Sequence, residues 1–168
     1  IGGTTPDPNP VPHSIADHWI IHRLNLAAQK IEDQIVGYRF SEANETMYHA
    51  IWDDVADWYI EASKVEPNLD MLAFVLETIL KLMHPFAPFV TEAIWQNLNW
   101  TDELLITSPW PKVEAGDKQK ARAFEYIKSI VTEVRYLTKE LELSKPALHY
   151  QAAPLVSGNL ELLKSLAR

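Results

Sequence analysis

The chain has 168 residues, with 15 Lys and Arg against 23 Asp and Glu and a net charge of -8. That balance argues against a coat protein for nucleic acid, which needs a basic footprint to neutralise phosphates. With 47% hydrophobic residues, 5 Gly and no Cys, it reads as a folded protein in a reducing compartment, without disulfides, thiolate chemistry or Cys-bound zinc.

Residues 1–13 read as an extended linker, because Pro6, Pro8, Pro10 and Pro12 alternate through it. No charged segment followed by an apolar one marks a secretory leader, and the start at Ile1 reads as a piece of a longer chain. Ser14 and Asp17 then have the spacing of a capping box that opens a helix. This first helix runs to about Val36, with Ile20, Leu24, Ala27, Ile31 and Ile35 on one stripe, and Gly37 is expected to close it in a left-handed conformation. Tyr38, Arg39 and Phe40 make the turn. Ser41 caps a second helix with Met47, Ile51, Val55, Trp58 and Ala62 facing inward, ending before Pro67.

Asn68 is the expected cap of a third helix, Leu69 to Met83, whose inner face is Leu72, Leu76, Ile79 and Met83. Charges at Asp70, Glu77 and Lys81, and its length, exclude a membrane span. His84-Pro85 stops it, since proline disfavours helical geometry in the residue before it. Pro88 opens a fourth helix to about Asn99, with Phe89, Ala93 and Trp95 available for packing. Leu104 to Thr107 reads as a β-like run closed by Pro109-Trp110-Pro111. A long helix from Asp117 to Leu143 follows, with Ile127, Ile130, Val134, Leu137 and Leu141 on one face. Beyond it, Ala147 to Ala152 reads as a strand and Asn159 as the cap of a short Leu-rich helix. The expected fold is mainly α: an antiparallel helical bundle over 14–143 with a small irregular or α+β C-terminal appendage over 144–168.

Charge divides unevenly along this path. Residues 1–111 carry 5 basic and 16 acidic side chains, a net of -11, whereas residues 112–168 carry 10 and 7, a net of +3. His18 and His22 are four apart, but with no Glu in the zincin arrangement they read as a polar helix face. Glu45, His49, Asp53, Asp57 and Glu61 form a stripe without the matching Glu and His sets that a di-iron bundle needs, so it reads as a solvated or salt-bridged face. No phosphate-cradling glycine loop, nucleophile elbow or acid–base pair is present, and no catalytic residue is expected in this chain. Trp52, Trp58 and Tyr59 have the chemistry to stack on unpaired bases, although helical spacing makes Trp58 a core residue.

Taken in order, YRFSEANETMYHA (Tyr38 to Ala50), WDDVADWYIEASK (Trp52 to Lys64), HPFAPFVTEAIWQ (His84 to Gln96) and SPWP (Ser108 to Pro111) resemble the anticodon-binding helical bundle of valyl-tRNA synthetases. ADHWIIHRLN (Ala16 to Asn25) is similar to that bundle's opening helix, and the resemblance covers residues 14–143. The HPF-PF-TE-IWQ pattern is shared with isoleucyl and leucyl enzymes, while DWYIE-x-x-K (Asp57 to Lys64) points to valine. Ala56 and Val55 depart from the pattern, which commonly has Cys and Phe there.

The resemblance implies a parent class I ligase that activates valine with ATP and Mg²⁺ and charges its tRNA in the cytoplasm. This chain, without cofactor, metal or membrane contact of its own, would hold the anticodon arm, contact the parent's catalytic domain and be monomeric by itself. Arg23, Lys30, Arg39, Lys64 and Lys81 are the candidate nucleic-acid-binding residues, acting as a group on phosphates. The alternatives are the same domain of a leucyl or isoleucyl enzyme, or an acidic protein-interaction bundle without RNA binding.

Overall fold

The structure, a computed structural model, describes residues 6–112, 116–143, 147, 149–151 and 153–167. Helix α1 spans Ile15–Val36, and its first turn is the expected capping box: Ser14 Oγ accepts from Asp17 N–H while the Asp17 carboxylate accepts from the Ser14 amide. That carboxylate is 1% exposed and does more than cap. Its Oδ2 also accepts from the His13 amide at 2.9 Å and from Asn68 Nδ2 at 3.2 Å, and its Oδ1 accepts from the Tyr59 hydroxyl at 2.8 Å. Asn68 Nδ2 reaches the Val11 carbonyl as well, so the proline-rich lead-in lies against the bundle, with Pro6 and Pro10 buried.

The turn after α1 is a Schellman motif, with Arg39 N–H on the Gln34 carbonyl and Tyr38 N–H on that of Ile35. Its left-handed residue is Tyr38, at φ 58°, not Gly37, whose φ is -81°. The glycine therefore sits one residue before the position that needs it, and the Tyr38 ring is turned into solvent, 83% exposed.

From Phe40 to Ser63 the chain is one continuous helical rod: α2 (Phe40–His49), a π-helical segment (Ala50–Tyr59) and α3 (Ile60–Ser63). In the middle segment the bonds skip one residue further, as when Ile60 N–H reaches the Val55 carbonyl. The wider turn moves the inner stripe. Met47, Val55 and Ala62 are buried as expected, but Tyr59 is fully buried where a 3.6 period puts Trp58, and Ile51 and Trp58 are only half-buried. Asp54 joins Val55 on the inner side.

Helix α4 spans Leu69–Met83 and is capped by Asn68, whose Oδ1 accepts from Met71 N–H. It lies between two cores and so has no single inner face. Met71, Phe74, Val75 and Leu82 join the main core, while Ala73 and Leu80 pack with Trp95, Trp100 and Leu105 in a second one. The expected residues Leu72, Leu76, Ile79 and Met83 flank these stripes, half-buried. Helix α5 spans Pro88–Leu98 and presents Thr91 and Trp95 inward; Phe89, at 91% exposure, and Ala93 face solvent.

The stretch expected to be β-like is a 3₁₀ turn, Leu105–Thr107. Glu92 takes the Leu105 N–H and the Glu103 carbonyl accepts from Trp95 Nε1, so the loop bonds back to α5 instead of pairing with a strand. Trp110 of the SPWP turn donates to the Ala28 carbonyl of α1.

Gly116 precedes α6 (Lys118–Glu140); a Cβ there would lie 2.8 Å from the His18 carbonyl oxygen, so only glycine lets the chain approach α1 this closely. The buried face of α6 is Ala121, Phe124, Ile127 and Val131, with Trp19 of α1 against Phe124 at 4.8 Å between ring centroids. Val131 replaces the expected Ile130, and Leu137 and Leu141 are exposed because α6 runs past the end of the core.

Among the described residues no strand occurs, and residues 147 and 149–151 are irregular where a strand was expected; Leu148 and Ala152 lie outside the described set. Two short helices follow, α7 (Pro154–Gly158) and α8 (Leu160–Leu166). Asn159 stands at the N-cap of α8 as expected, but its side chain makes no capping bond; its Nδ2 donates to the Leu155 carbonyl instead. Leu162 and Leu166 are buried against the bundle, and Arg135 of α6 donates twice to the Leu166 carbonyl. The fold is a mainly α helical bundle.

Two stability changes follow. Tyr59→Phe removes a donor from a buried carboxylate and should cost about 2 kcal/mol in chemical denaturation. Tyr38→Gly relieves the left-handed strain and should raise stability by about 1 kcal/mol in the same measurement.

Candidate nucleic-acid interface

The outer face of α1 carries Arg23, Leu26 and Lys30 at steps of three and four residues, so all three share one side of the helix. On one flank of that face α1 and α2 enclose a groove of about 840 Å³, lined by Arg23 and Lys30 from α1 and by Arg39 from the corner. Asp33, Glu42 and Glu45 also line it, so its charge is mixed. On the other flank α1 and the start of α6 enclose a smaller cleft of about 310 Å³, where His22 and Arg23 face Lys118 and Arg122. Arg23 and Leu26 belong to both.

Three of the five candidate cations are thus brought together and two are not. Lys64 pairs with Glu61 at the end of the long rod. Lys81 pairs with Glu77 at 2.6 Å on α4, both side chains largely shielded from water. In the groove, Arg39 pairs with Glu42 at 3.1 Å, each about half exposed, a bond that competes poorly with solvent. Lys30 is exposed and has no ion-pair partner among the described residues.

Arg23 differs from the others. Its Nε donates to Asp54 Oδ2 at 2.8 Å, and Asp54 is buried on the inner side of the π-helical segment. Burial pushes the Asp54 carboxyl up, and the Arg23 bond and charge pull against that. The guanidinium is consequently fixed at one edge while its side chain stays 42% exposed.

Next to it, Lys128 lies over the rings of Trp19 and Trp58, 4.4 and 5.0 Å from their centroids. Burial lowers its pKa, partly offset by Glu125 and Asp54. Glu125 accepts from Trp19 Nε1. Trp58 is therefore covered by Lys128 and, at 5.2 Å, by Arg135, and Tyr59 is occupied by Asp17. Of the three aromatic candidates only Trp52 is open, its ring stacked on that of Tyr48 at 6.1 Å and 9°.

Sequence reasoning missed His22, Lys118 and Arg122 as a set. The positive excess of residues 112–168 was the available signal, but pairing α6 with α1 required the tertiary fold.

His18 is not directed toward a ligand position shared with His22. It is buried, its Nδ1 accepts from the Asp117 amide at 3.2 Å, and its Nε2 lies 3.3 Å from Lys120 Nζ.

Residues 17–150 match the family of the anticodon-binding domain of tRNA ligase. The chain belongs to that family. Among relatives of this anticodon-binding domain, the valine–tRNA ligase of Staphylococcus carnosus is 38% identical over 140 residues, covering 76% of this chain and 16% of that protein. Those of Geobacillus kaustophilus and Enterococcus faecalis are each 36% identical, over 151 and 147 residues, covering 82% and 79% of this chain and 17% of each protein. The chain thus spans about a sixth of the length of these relatives.

The His18 contact makes the docking of α6 pH-dependent. Burial, reinforced by Lys120, holds the imidazole below its ordinary 6.5, with Asp117 and Asp17 opposing. The folded state therefore takes up the proton less readily than the unfolded state, so this contribution is present above 6.5 and declines as pH falls toward the lowered folded value. His18→Gln keeps an acceptor for the Asp117 amide. Unfolding free energies measured from pH 8 to 5 should fall more steeply below pH 6.5 in the native chain than in this variant.

Proposed function

We propose that this domain belongs to a valine–tRNA ligase and receives the anticodon arm of valine-accepting tRNA. The whole enzyme would activate valine with ATP and Mg²⁺ and esterify it to the tRNA in the cytoplasm. The observation that carries the RNA reading is the cation-bearing outer face of α1, where Arg23 and Lys30 meet Arg39 from one side and Lys118 and Arg122 from the other. The relatives' names and the DWYIE-x-x-K string support valine over leucine or isoleucine.

The domain's work is binding, with no bond made or broken on its side chains. Cations on the α1 face position phosphates, and unstacked loop bases are identified by stacking and by hydrogen bonds to their edges. The ATP and Mg²⁺ of the reaction would be held by the catalytic part of the whole enzyme. The exposed apolar side of α5, with Phe89, Val90 and Ile94, suits contact with the catalytic part of the same enzyme. By itself the domain is expected to be a monomer.

A second reading, a protein-interaction bundle without RNA, draws on the rod from Phe40 to Ser63, which holds six carboxylates and no Lys or Arg. Fluorescence anisotropy of this 168-residue chain with valine tRNA and with an anticodon-swapped tRNA separates the two. The expected result is preferential binding of valine tRNA that weakens as salt rises. Equal, salt-insensitive binding overturns specific recognition, and no binding favours the second reading.

A further inference from the structure

We propose that the cleft between α1 and the first turns of α6 is a phosphodiester-binding site, and that it, more than the larger α1–α2 groove, takes up the backbone of the bound RNA. The proposal rests on the RNA-binding reading above and joins Arg23, one of the five cations singled out from sequence, to Lys118, Arg122 and His22, which were not among them. Three permanent cations, Arg23, Lys118 and Arg122, converge on the cleft, with His22 as a fourth nitrogen donor. Lys118 and Arg122 are one helical turn apart and exposed, and neither has an ion-pair partner among the described residues. The one carboxylate in the lining, Glu125, already accepts from Trp19 Nε1 and lies 3.9 Å from Lys128 Nζ, so its charge is compensated from behind.

Arg23 is the organising donor. Its Nε bond to the buried Asp54 fixes the plane of the guanidinium, while the described residues supply no partner for its two terminal nitrogens. Those two nitrogens form the fork that suits two oxygens of one phosphate, and a fork already held in place loses less entropy on binding. Asp54 acts through Arg23 and is a positioning residue.

The larger groove is less suited to phosphate. Its cations share the lining with four carboxylates, Asp33, Glu42, Glu45 and Asp54. Because Arg23 and Leu26 line both hollows, a strand seated on Arg122 and Lys118 continues over Arg23 toward Lys30 and Arg39. The cleft therefore anchors one end of a cation track across the outer face of α1.

The test is the salt dependence of binding. Removing one cation that neutralises a phosphate should reduce the slope of log K against log salt by about 0.7 to 0.9 between about 50 and 200 mM salt. Lys118→Gln combined with Arg122→Gln should lower the slope by roughly 1.4 to 1.8 and leave the thermal melt unchanged, since both side chains are exposed. Lys164→Gln on α8, a cation already paired with Glu161, should leave the slope as it was. An unchanged slope in the double variant, with tRNA still bound by the native chain, overturns this site and leaves the RNA reading intact. Absence of tRNA binding by the native chain overturns both. Inorganic phosphate serves as the second probe: if it binds the native chain and not the double variant, while RNA binding is equal in the two, the cleft is a site for free phosphate and the proposal fails.

Discussion

The carboxylate of Asp17 is the constraint on which the bundle's arrangement depends. A buried charge is tolerated only where donors surround it, and its donors come from three parts of the chain: the backbone of His13 and Ser14, the hydroxyl of Tyr59 and the amide of Asn68. The same group thus starts α1, fixes the rotation of the long rod and holds the cap of α4. Tyr59 responds in kind, since burial and the adjacent negative charge of Asp17 push its phenol far above the ordinary range, so it remains a donor at every physiological pH. Hydrogen bonds to a charged group contribute about 1.5–3 kcal/mol each, enough to select one register of the rod over its neighbours.

The π-helical segment is intelligible from this anchor. A regular α-helix entering from Met47 brings Trp58 inward, yet the Asp17 oxygen is reached by Tyr59. Winding the segment more widely satisfies that bond, and Asp54, buried in the same segment, meets Arg23. Trp58, at the margin, packs against the core with the cations of Lys128 and Arg135 over its ring. The same segment of the rod thus supplies both the Tyr59 bond to Asp17 and the Asp54 bond that orients a guanidinium on α1's outer face.

Net charge is a poor guide to this surface. The chain carries -8, but some of its acidic groups sit beside cations: Glu42 by Arg39, Glu61 by Lys64 and Glu77 by Lys81. What remains is polarised, with the rod acidic and the edge where α6 meets α1 basic. Electrostatic attraction acts over about 8–10 Å at physiological salt, so a bound phosphate senses the local cations more than the total.

The sequence by itself determined most of the helices and several of their ends, although Ser41, expected to cap the second helix, lies inside α2, whose N-cap is Arg39 without a side-chain bond. Ser14 with Asp17, Asn68, His84-Pro85 and Pro88 act through bonds and sterics within four residues, and those signals need no neighbour in space. It also determined one inward stripe of α1, Ile20, Leu24, Ala27 and Ile31, while the burial of every residue from Ala16 to Ile21 came from partners on several sides of that helix. Tertiary structure decided what depends on distant partners: Tyr59 over Trp58, the two-sided burial of α4, Leu105 in a 3₁₀ turn held by Glu92, and Val131 over Ile130. It also decided the interface. Five cations were countable in residues 1–111, but only folding fixes which of them are neutralised by a neighbouring carboxylate and which meet Lys118 and Arg122 from the far half of the chain. Local chemistry is written in spacing; the company a charge keeps is set by packing.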